Sequence, residues 1–475
     1  MDAHEFRKWG KQMVDYVADY WTTLPSRRPQ ADVKPGYIRQ LLPEDPPENG
    51  ESFENIFADL ESVIMKGITH WHHPRFFAYL PAGNSYPSIV GDILSSGIGS
   101  LGFTWASSPV YTELEMAMMD WLAKLVGLPE QFLFSSDGPG AGVIQGSASE
   151  CVYLSMLAAK KQAINSLSDK ENESMLVAYA SDQAHTSVEK ATLMNAVQFH
   201  PVKCDQLCRM TSSALQQAIE EDKEKGLIPF FVCVTLGTTV CCAFDRLPEI
   251  GPICASNNLW LHVDAAYAGC ATICPEYRWI FQGIEYADTI NFNPHKALMI
   301  NFDCSAFWMK DVKKLERTFY VNAQYLKYDQ EGLIPDLRNW QVPLGRRFRS
   351  LKLWFTFRAF GAENLRKNFR KMCSLAEYFA SLVQKDQNFE IVQPVNLGVV
   401  CFRIKGSNEI NEEAARIINN KGDIYFSTAT IHEMCTLRLS ITSAMTEKSD
   451  VMFAWQQIKE TAKLLSEGGR HTAES

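Results

Sequence analysis

Leu259-Trp260-Leu261-His262-Val263-Asp264-Ala265-Ala266-Tyr267-Ala268-Gly269, with Asn291-Phe292-Asn293-Pro294-His295-Lys296-Ala297 further on, decides how this chain is read. The first piece is an apolar run that ends abruptly in an acid and small residues, the pattern of a buried parallel strand opening into a site at its carboxyl end. The second puts a lysine just after Asn-Pro-His, where the residue before the proline is steered away from helix. Asp264 and Lys296 are 32 positions apart (296 − 264), room for a strand, a crossover and a second strand.

A buried acid and a lysine in the same α/β core suit one cofactor chemistry. Pyridoxal phosphate (PLP) forms a Schiff base with a lysine, and a carboxylate keeps its ring nitrogen protonated so that the ring draws electrons. Alone, Lys296 would be an ordinary surface lysine and Asp264 a strand-end turn residue; together, in these settings, they favour PLP.

Working outward, strands and helices alternate. Strands are expected at Leu176 to Ala180, Val197 to Val202, Phe230 to Leu236, Leu259 to Val263 and Cys304 to Trp308, with helices starting near Ser187, Ser213 and Glu249. That rhythm predicts an α/β fold with a mainly parallel sheet covered by helices on both faces. His185 follows the first of these strands and Thr239 the third, so both face the crevice of Asp264. The glycine-rich stretch Ser136 to Gly142, followed by Ser147-Ala148-Ser149 at a helix start, offers amides and hydroxyls to a phosphate. No Gly-Lys-Ser/Thr follows, so it is not a P-loop.

Apolar residues make up 46% of the 475 and charged residues 21%, which places the chain among globular proteins rather than disordered ones. A net charge of −9 argues against nucleic acid or an anionic membrane as partner. No apolar run is long enough to span a bilayer, and the charged start MDAHEFRKWGKQ is no signal peptide. Thirteen cysteines, an odd number scattered among apolar neighbours, fit a reduced cytoplasmic protein. Cys204 and Cys208 lack the second pair a zinc site needs, and no metal is expected.

Residues 1 to 21 predict a helix with the stripe Phe6, Trp9, Met13, Val17 and Tyr20, and 52 to 65 a second with Phe53, Ile56, Phe57, Leu60 and Ile64. Such faces need a further surface to cover them. His70, His72 and His73 read as packing around Trp71, and Phe76 to Tyr86 as an irregular aromatic loop. Between Pro87 and Val126 a helical face of Leu114, Met118, Trp121 and Leu125 is expected. Residues 165 to 175 read as a polar loop and 318 to 340 as a long loop of the kind that closes over a site. Arg346, Arg347 and Arg349 fit a salt-bridged helix start. Gly361 ends that helix. A smaller α+β domain follows, with strands at Phe389 to Val392, Val399 to Ile404, Asp423 to Phe426 and Leu437 to Ile441, and a polar tail from Gly468. The domains expected are 1–86, an N-terminal helical segment; 87–360, the large α/β domain; and 361–475, the small domain.

The segments HVDAAYAG and NFNPHK resemble the group II PLP-dependent decarboxylases, specifically the animal aromatic L-amino acid decarboxylases with their histidine decarboxylase and aldehyde synthase relatives. The likeness runs from VKPGY near the N-terminus to LGVVCFRIKGSN. It implies the type I fold of PLP-dependent transferases and a homodimer whose N-terminal segments pack across the partner. It also implies residue roles. Lys296 would carry the cofactor, Asp264 would pair with its ring nitrogen, and His185 and Ala266 would flank the ring. Ser147, Ala148, Ser149 and Asn293 would hold the phosphate, with Thr239 in the same crevice and His295 beside the lysine, both among the cofactor-binding residues. Tyr79, Leu80, Ala82 and Phe103, the last from the partner subunit, would line the pocket for an aromatic amino acid. Tyr325 would protonate Cα after carbon dioxide leaves. His295 and Gly345 follow the aromatic type rather than the histidine type, and His185 is retained where insect aldehyde synthases have Asn. Leu80, Ala82-Gly83 and Ala297 depart from the aromatic pattern, Ala297 standing where Trp is usual. The implied activity is decarboxylation of dopa, 5-hydroxytryptophan, tyrosine or tryptophan. An aldehyde synthase, or a PLP-binding protein with little turnover, are the alternatives.

Overall fold

The computed structural model describes residues 1–167, 170–330 and 332–473. They form two compact units. One holds Met1–Pro81, Ser374–Val392 and Val400–Ser475; the other, larger unit holds Ala82–Cys373 and Gln393–Val399. In chain order the elements begin α1 (Ala3–Thr23), α2 (Phe53–Asp59), β1 (Phe76–Phe77), α3 (Tyr86–Ile98), α4 (Pro109–Val126), β2 (Ala141–Gln145) and α5 (Ala148–Ser166). Then come β3 (Leu176–Ser181), α6 (Ser187–Asn195), β4 (Gln198–Val202), α7 (Ser212–Glu224), β5 (Ile228–Thr235), α8 (Leu247–Ser256) and β6 (Trp260–Asp264). Next are β7 (Thr289–Phe292), α9 (Pro294–Ala297), β8 (Ser305–Met309), α10 (Val312–Phe319) and α11 (Arg349–Gln384). The last are β9 (Phe389–Ile391), β10 (Val399–Ile404), α12 (Asn408–Lys421), β11 (Tyr425–Ile431), β12 (Met434–Ser440) and α13 (Lys448–Ala473).

The larger unit is built on a seven-stranded sheet in the order β2-β8-β7-β6-β5-β3-β4. Only β8 runs against its neighbours; the other six strands share one direction. This is the mainly parallel sheet that the sequence predicts. Its strands can be continuously apolar because helices cover both faces: every residue of β3 and β6 is buried. The register pairs Thr235 with Asp264, Asp264 with Asn291, Phe292 with Ala306 and Gln145 with Ser305. The ends of β5, β6, β7 and β2 therefore share one edge, where α5 and α9 begin.

Several local expectations change. The glycine-rich stretch expected from Ser136 to Gly142 runs at its end into the strand β2, Ala141–Gln145. Gly142 is small because a Cβ there would lie 2.6 Å from both Met119 and Trp308. On α4 the buried face is Tyr111, Glu115, Met118, Met119, Leu122 and Val126, and Trp121 points outward. An acid on the buried side misaligned the apolar pattern. That acid, Glu115, pairs with the buried Arg346 and also accepts from Ile144 N at 2.8 Å. Arg349 binds Asp303 through two hydrogen bonds of 3.1 and 2.8 Å, so the arginine run is salt-bridged as expected. Gly361 interrupts α11 with φ 64° and ψ 168°, a conformation open essentially to glycine. In place of the 165–175 loop, α5 runs to Ser166 and a 3-10 segment spans Lys170–Met175; residues 168 and 169 lie outside the described residues. Residues 318–330 and 332–340 are mostly irregular, with short turns at Gln324–Leu326 and Leu337–Trp340, and residue 331 lies outside the described residues.

In the smaller unit α1 starts with a capping box between Asp2 and Glu5. Trp9 packs on Phe53 and Phe57, ring centroids 5.2 and 5.8 Å apart, so α1 and α2 cover part of each other. The second helix is shorter than expected, passing after Asp59 into π and 3-10 turns that end at Gly67. The five strands run β1-β11-β12-β10-β9. Phe76 and Phe77, expected in a loop, pair with β11 as β1 and are fully buried. The strands expected near 423 and 437 are one hairpin, turning at His432 and Glu433 with φ 47° and 65°. The tail expected from 468 continues α13 to Ala473; 474 and 475 lie outside the described residues. His70 and His73 are buried, with Tyr20 Oη bonded to His70 Nδ1 at 2.9 Å and Arg75 N to His73 Nδ1 at 2.9 Å. Among the described residues no helix is long and apolar enough to cross a membrane.

Candidate active site

Asp264 closes β6 and is 3% exposed. Its Oδ1 accepts from Ala266 N at 2.9 Å and from Asn291 Nδ2 at 3.4 Å. One strand over, about 4.8 Å away in a sheet, β7 runs into Asn293, which caps the short turn carrying Lys296. Asn293 N donates to Ala266 O at 3.0 Å, tying the chain after β7 to the chain after β6. The acid and the lysine thus stand on adjacent strand ends. His295, beside the lysine, is buried and accepts from Cys304 N at Nδ1, 2.9 Å. Burial, with the Lys296 charge next to it, pushes its pKa down to about 4.

The N-terminus of α5 reaches the same edge after β2. Ser147 caps it, its Oγ accepting from Glu150 N at 3.2 Å. The preceding residues of the first turn, Ala148 and Ser149, have N–H groups with no acceptor inside the helix. Asn293 Oδ1 accepts from Ser305 Oγ at 2.7 Å, which turns its Nδ2 donors the other way. Helix amides, the exposed Ser149 hydroxyl and an amide N–H make a set of donors, which fits a phosphate. With a half-buried lysine and a buried carboxylate one strand apart, the residues present fit PLP.

His185 follows β3 and is exposed. Its Nδ1 accepts from Ser187 N at 3.1 Å, so the neutral ring carries its proton on Nε2. Thr239 is exposed in the turn after β5, while its neighbour Thr238 is buried and staples that turn by accepting from Ala243 N at 3.0 Å. Ala82 and Phe103 are half-buried in the same unit. Gly83 lies against the segment that carries Lys296: it donates to His295 O, and Ser85 Oγ donates to Met299 O at 2.6 Å. Tyr325 is 80% exposed. Tyr79 and Leu80 belong to the smaller unit, where Tyr79 has φ 59° and stacks on Trp71 at 5.0 Å, and Leu80 is buried. The glycines of 138–140 do not join this edge; they line a separate cavity with Val312, Tyr320 and Trp340. Ser305, Asn291 and His262 support the site and were not singled out in the sequence. The signal was there in the alternation Trp260, His262, Asp264, which puts polar groups on one face of an otherwise apolar strand.

Residues 35–405 match the family described as "Pyridoxal-dependent decarboxylase conserved domain". The chain belongs to the pyridoxal-dependent decarboxylase family. Among curated members of this decarboxylase family, the aromatic-L-amino-acid decarboxylase of Bos taurus is 50% identical, covering 100% of this chain and 99% of its own. The Oryza sativa decarboxylase structure with PLP and tryptamine superposes with a TM-score of 0.95 at 34% identity, over 98% of this chain and 99% of that one. A 4-hydroxyphenylacetaldehyde synthase from Rhodiola rosea gives a TM-score of 0.92 at 36% identity, over 98% and 99%.

Proposed function

We propose that the protein decarboxylates an aromatic L-amino acid to its amine and carbon dioxide, using PLP on Lys296, and that it works as a cytoplasmic homodimer. The observation that carries the reading is the register that sets Asp264 beside Asn291, two residues before Asn293-Pro294-His295-Lys296, on the edge where α5 begins. Relatives at about half identity over the whole length support the substrate class. Thirteen cysteines without a disulfide support a reducing compartment. Phe6 and Ile64, 66% and 50% exposed, support a partner surface.

PLP, when bound, would supply an electron sink for breaking the bond from Cα to the carboxylate. The protein's residues prepare and finish that event. Ser147, Ala148, Ser149 and Asn293 hold the phosphate, with Thr239 and His295 at the rim. Asp264 would present its carboxylate to the ring nitrogen, and Ala266 and His185 would flank the ring. His185, held with Nε2–H outward, also orients the substrate. Ala82 and Phe103, the last across the dimer, shape the aromatic pocket. Tyr325 brings a proton to Cα.

The test is a product assay on the PLP-loaded protein with dopa, 5-hydroxytryptophan, tyrosine and tryptophan, scoring amine, aldehyde, ammonia and peroxide. Amine without oxygen uptake is expected, and borohydride reduction should leave a pyridoxyl group on Lys296. Aldehyde formed in step with oxygen uptake would replace this reading with the synthase activity of the Rhodiola rosea neighbour. Bound PLP without any product would leave a binding protein.

A further inference from the structure

Behind Asp264 lies a row of buried polar groups that the chemistry above does not use. His262 and Asp264 share a face of β6 with Trp260, and Thr289 and Asn291 share that face on β7, paired with His262 and Asp264. Ser155 of α5 lies over them. Trp260 Nε1 donates to Ser155 Oγ at 2.9 Å and to Thr289 Oγ1 at 3.0 Å. The two hydroxyls are 2.6 Å apart, and Thr289 Oγ1 is 2.9 Å from His262 Nδ1. Asn291 Nδ2 reaches Asp264 Oδ1. Between them, His262 Nε2 and Asn291 Oδ1 are buried and neither has a hydrogen-bond partner within normal geometry. The register sets the two side chains diagonally on one face of adjacent strands, so each is the other's neighbouring polar group.

Both ends of this row fix its sense. Indole N–H can only donate, and an ionised carboxylate can only accept. Trp260 occupies one acceptor site of Thr289. If Ser155 fills the other, the Thr289 proton goes to His262 Nδ1, His262 carries its proton on Nε2, and that proton faces Asn291 Oδ1. Asn291 then turns its N–H to Asp264. The reverse sense puts Nε2 without a proton against Asn291, which would have to flip and set its oxygen against the carboxylate. Only the first sense leaves no acceptor facing an acceptor. Burial, which pushes the His262 pKa down to about 4, keeps the ring in the neutral form this sense needs.

We propose that His262 and Asn291 are positioning residues, passing a one-way chain of donated hydrogen bonds from Trp260 to Asp264 Oδ1. This leaves Oδ2 as the oxygen presented to the cofactor's ring nitrogen. The inference rests on the proposed PLP site. A donor on Oδ1 favours the charged carboxylate, and the charged carboxylate favours the protonated ring nitrogen. The test reads that nitrogen directly, by NMR of the protein loaded with PLP labelled with nitrogen-15 in the ring, together with the PLP dissociation constant from fluorescence titration. His262→Phe should shift the ring signal toward the unprotonated position and weaken PLP binding about tenfold. His262→Gln, whose amide can accept from Thr289 and donate to Asn291, should return both toward wild type. Thr289→Val keeps the side-chain shape and should move both readouts in the direction of His262→Phe, so it serves if that variant does not fold. Wild-type signal and affinity in His262→Phe, or in Thr289→Val if it is needed, would overturn the inference whatever happens to thermal stability. Wild-type protein that takes up no PLP would instead overturn the functional reading beneath it.

Discussion

Tyr325 sits in the turn Gln324–Leu326, 80% exposed, with a hydroxyl able to donate a proton where phenylalanine has none. After carbon dioxide leaves, Cα can take a proton or react with oxygen, so the speed of proton delivery sets the product. Tyr325→Phe should keep PLP and substrate affinity but divert turnover toward aldehyde. Each diverted turnover consumes one O2 and one water and yields one aldehyde, one carbon dioxide, one ammonia and one hydrogen peroxide. An oxygen electrode beside amine and aldehyde chromatography reads the ratio. Amine alone at the wild-type rate would show that another group supplies the proton.

At the scale of elements, the departures noted in the sequence acquire a physical reason at Gly83. A Cβ there would lie 2.6 Å from Ile300 O and 3.0 Å from His295 O, both backbone atoms of the segment that carries Lys296. Gly83→Ala should therefore displace that segment and cost about 1–3 kcal/mol of overpacking, read as weaker PLP retention in equilibrium dialysis; unchanged retention would show that the segment yields freely. The strand leading to the phosphate seat has its own anchor. Glu115 accepts from Ile144 N on β2 and pairs with Arg346, each side chain 3% exposed. Glu115→Gln leaves Arg346 buried without its charge partner and should lower unfolding stability by about 3–5 kcal/mol, measured by denaturant titration; a loss below about 1 kcal/mol would show that water or the retained amide compensates. These two positions mark what could be read in the sequence. Parallel strands with Asp264 and Lys296 at their ends were legible because period and strand-end chemistry are local. Glu115 on the buried face of α4 was not, because its partner Arg346 is remote in sequence. Nor was β2, since glycines that admit Trp308 look like glycines that admit phosphate. The His432–Glu433 turn hid its hairpin by adopting positive φ without glycine or asparagine.

For the whole molecule, the exposed Phe6, Ile56 and Ile64 predict a homodimer that sedimentation should detect, and deleting residues 1–65 should give misassembled protein rather than an active monomer. Acid sensitivity is the other global property the structure sets. Burial pushes the pKa values of His72, His73, His262 and His295 down to about 4. Unfolded histidine titrates near 6.5, so between there and about 4 the unfolded chain binds more protons, and stability falls as pH falls. Asp245 works the other way. Burial raises it to about 7 even though it accepts from Thr235 N and Met210 N, both at 2.7 Å. Its folded form holds a proton that the unfolded form has lost, a contribution that favours the fold in acid and disappears as pH rises through about 7. Near pH 5 each of the four histidines gains nearly one proton on unfolding and Asp245 releases one, leaving a net uptake of about three. Carboxylates held low, such as Glu276 at about 2 beside Arg370, lose their contribution mainly below pH 5 and add to the fall there. The denaturant midpoint should therefore fall steeply from pH 7 to pH 5, and His295→Asn, which removes one of the four titrations, should make the slope shallower. A midpoint constant across that range would mean that these histidines take up protons within the fold.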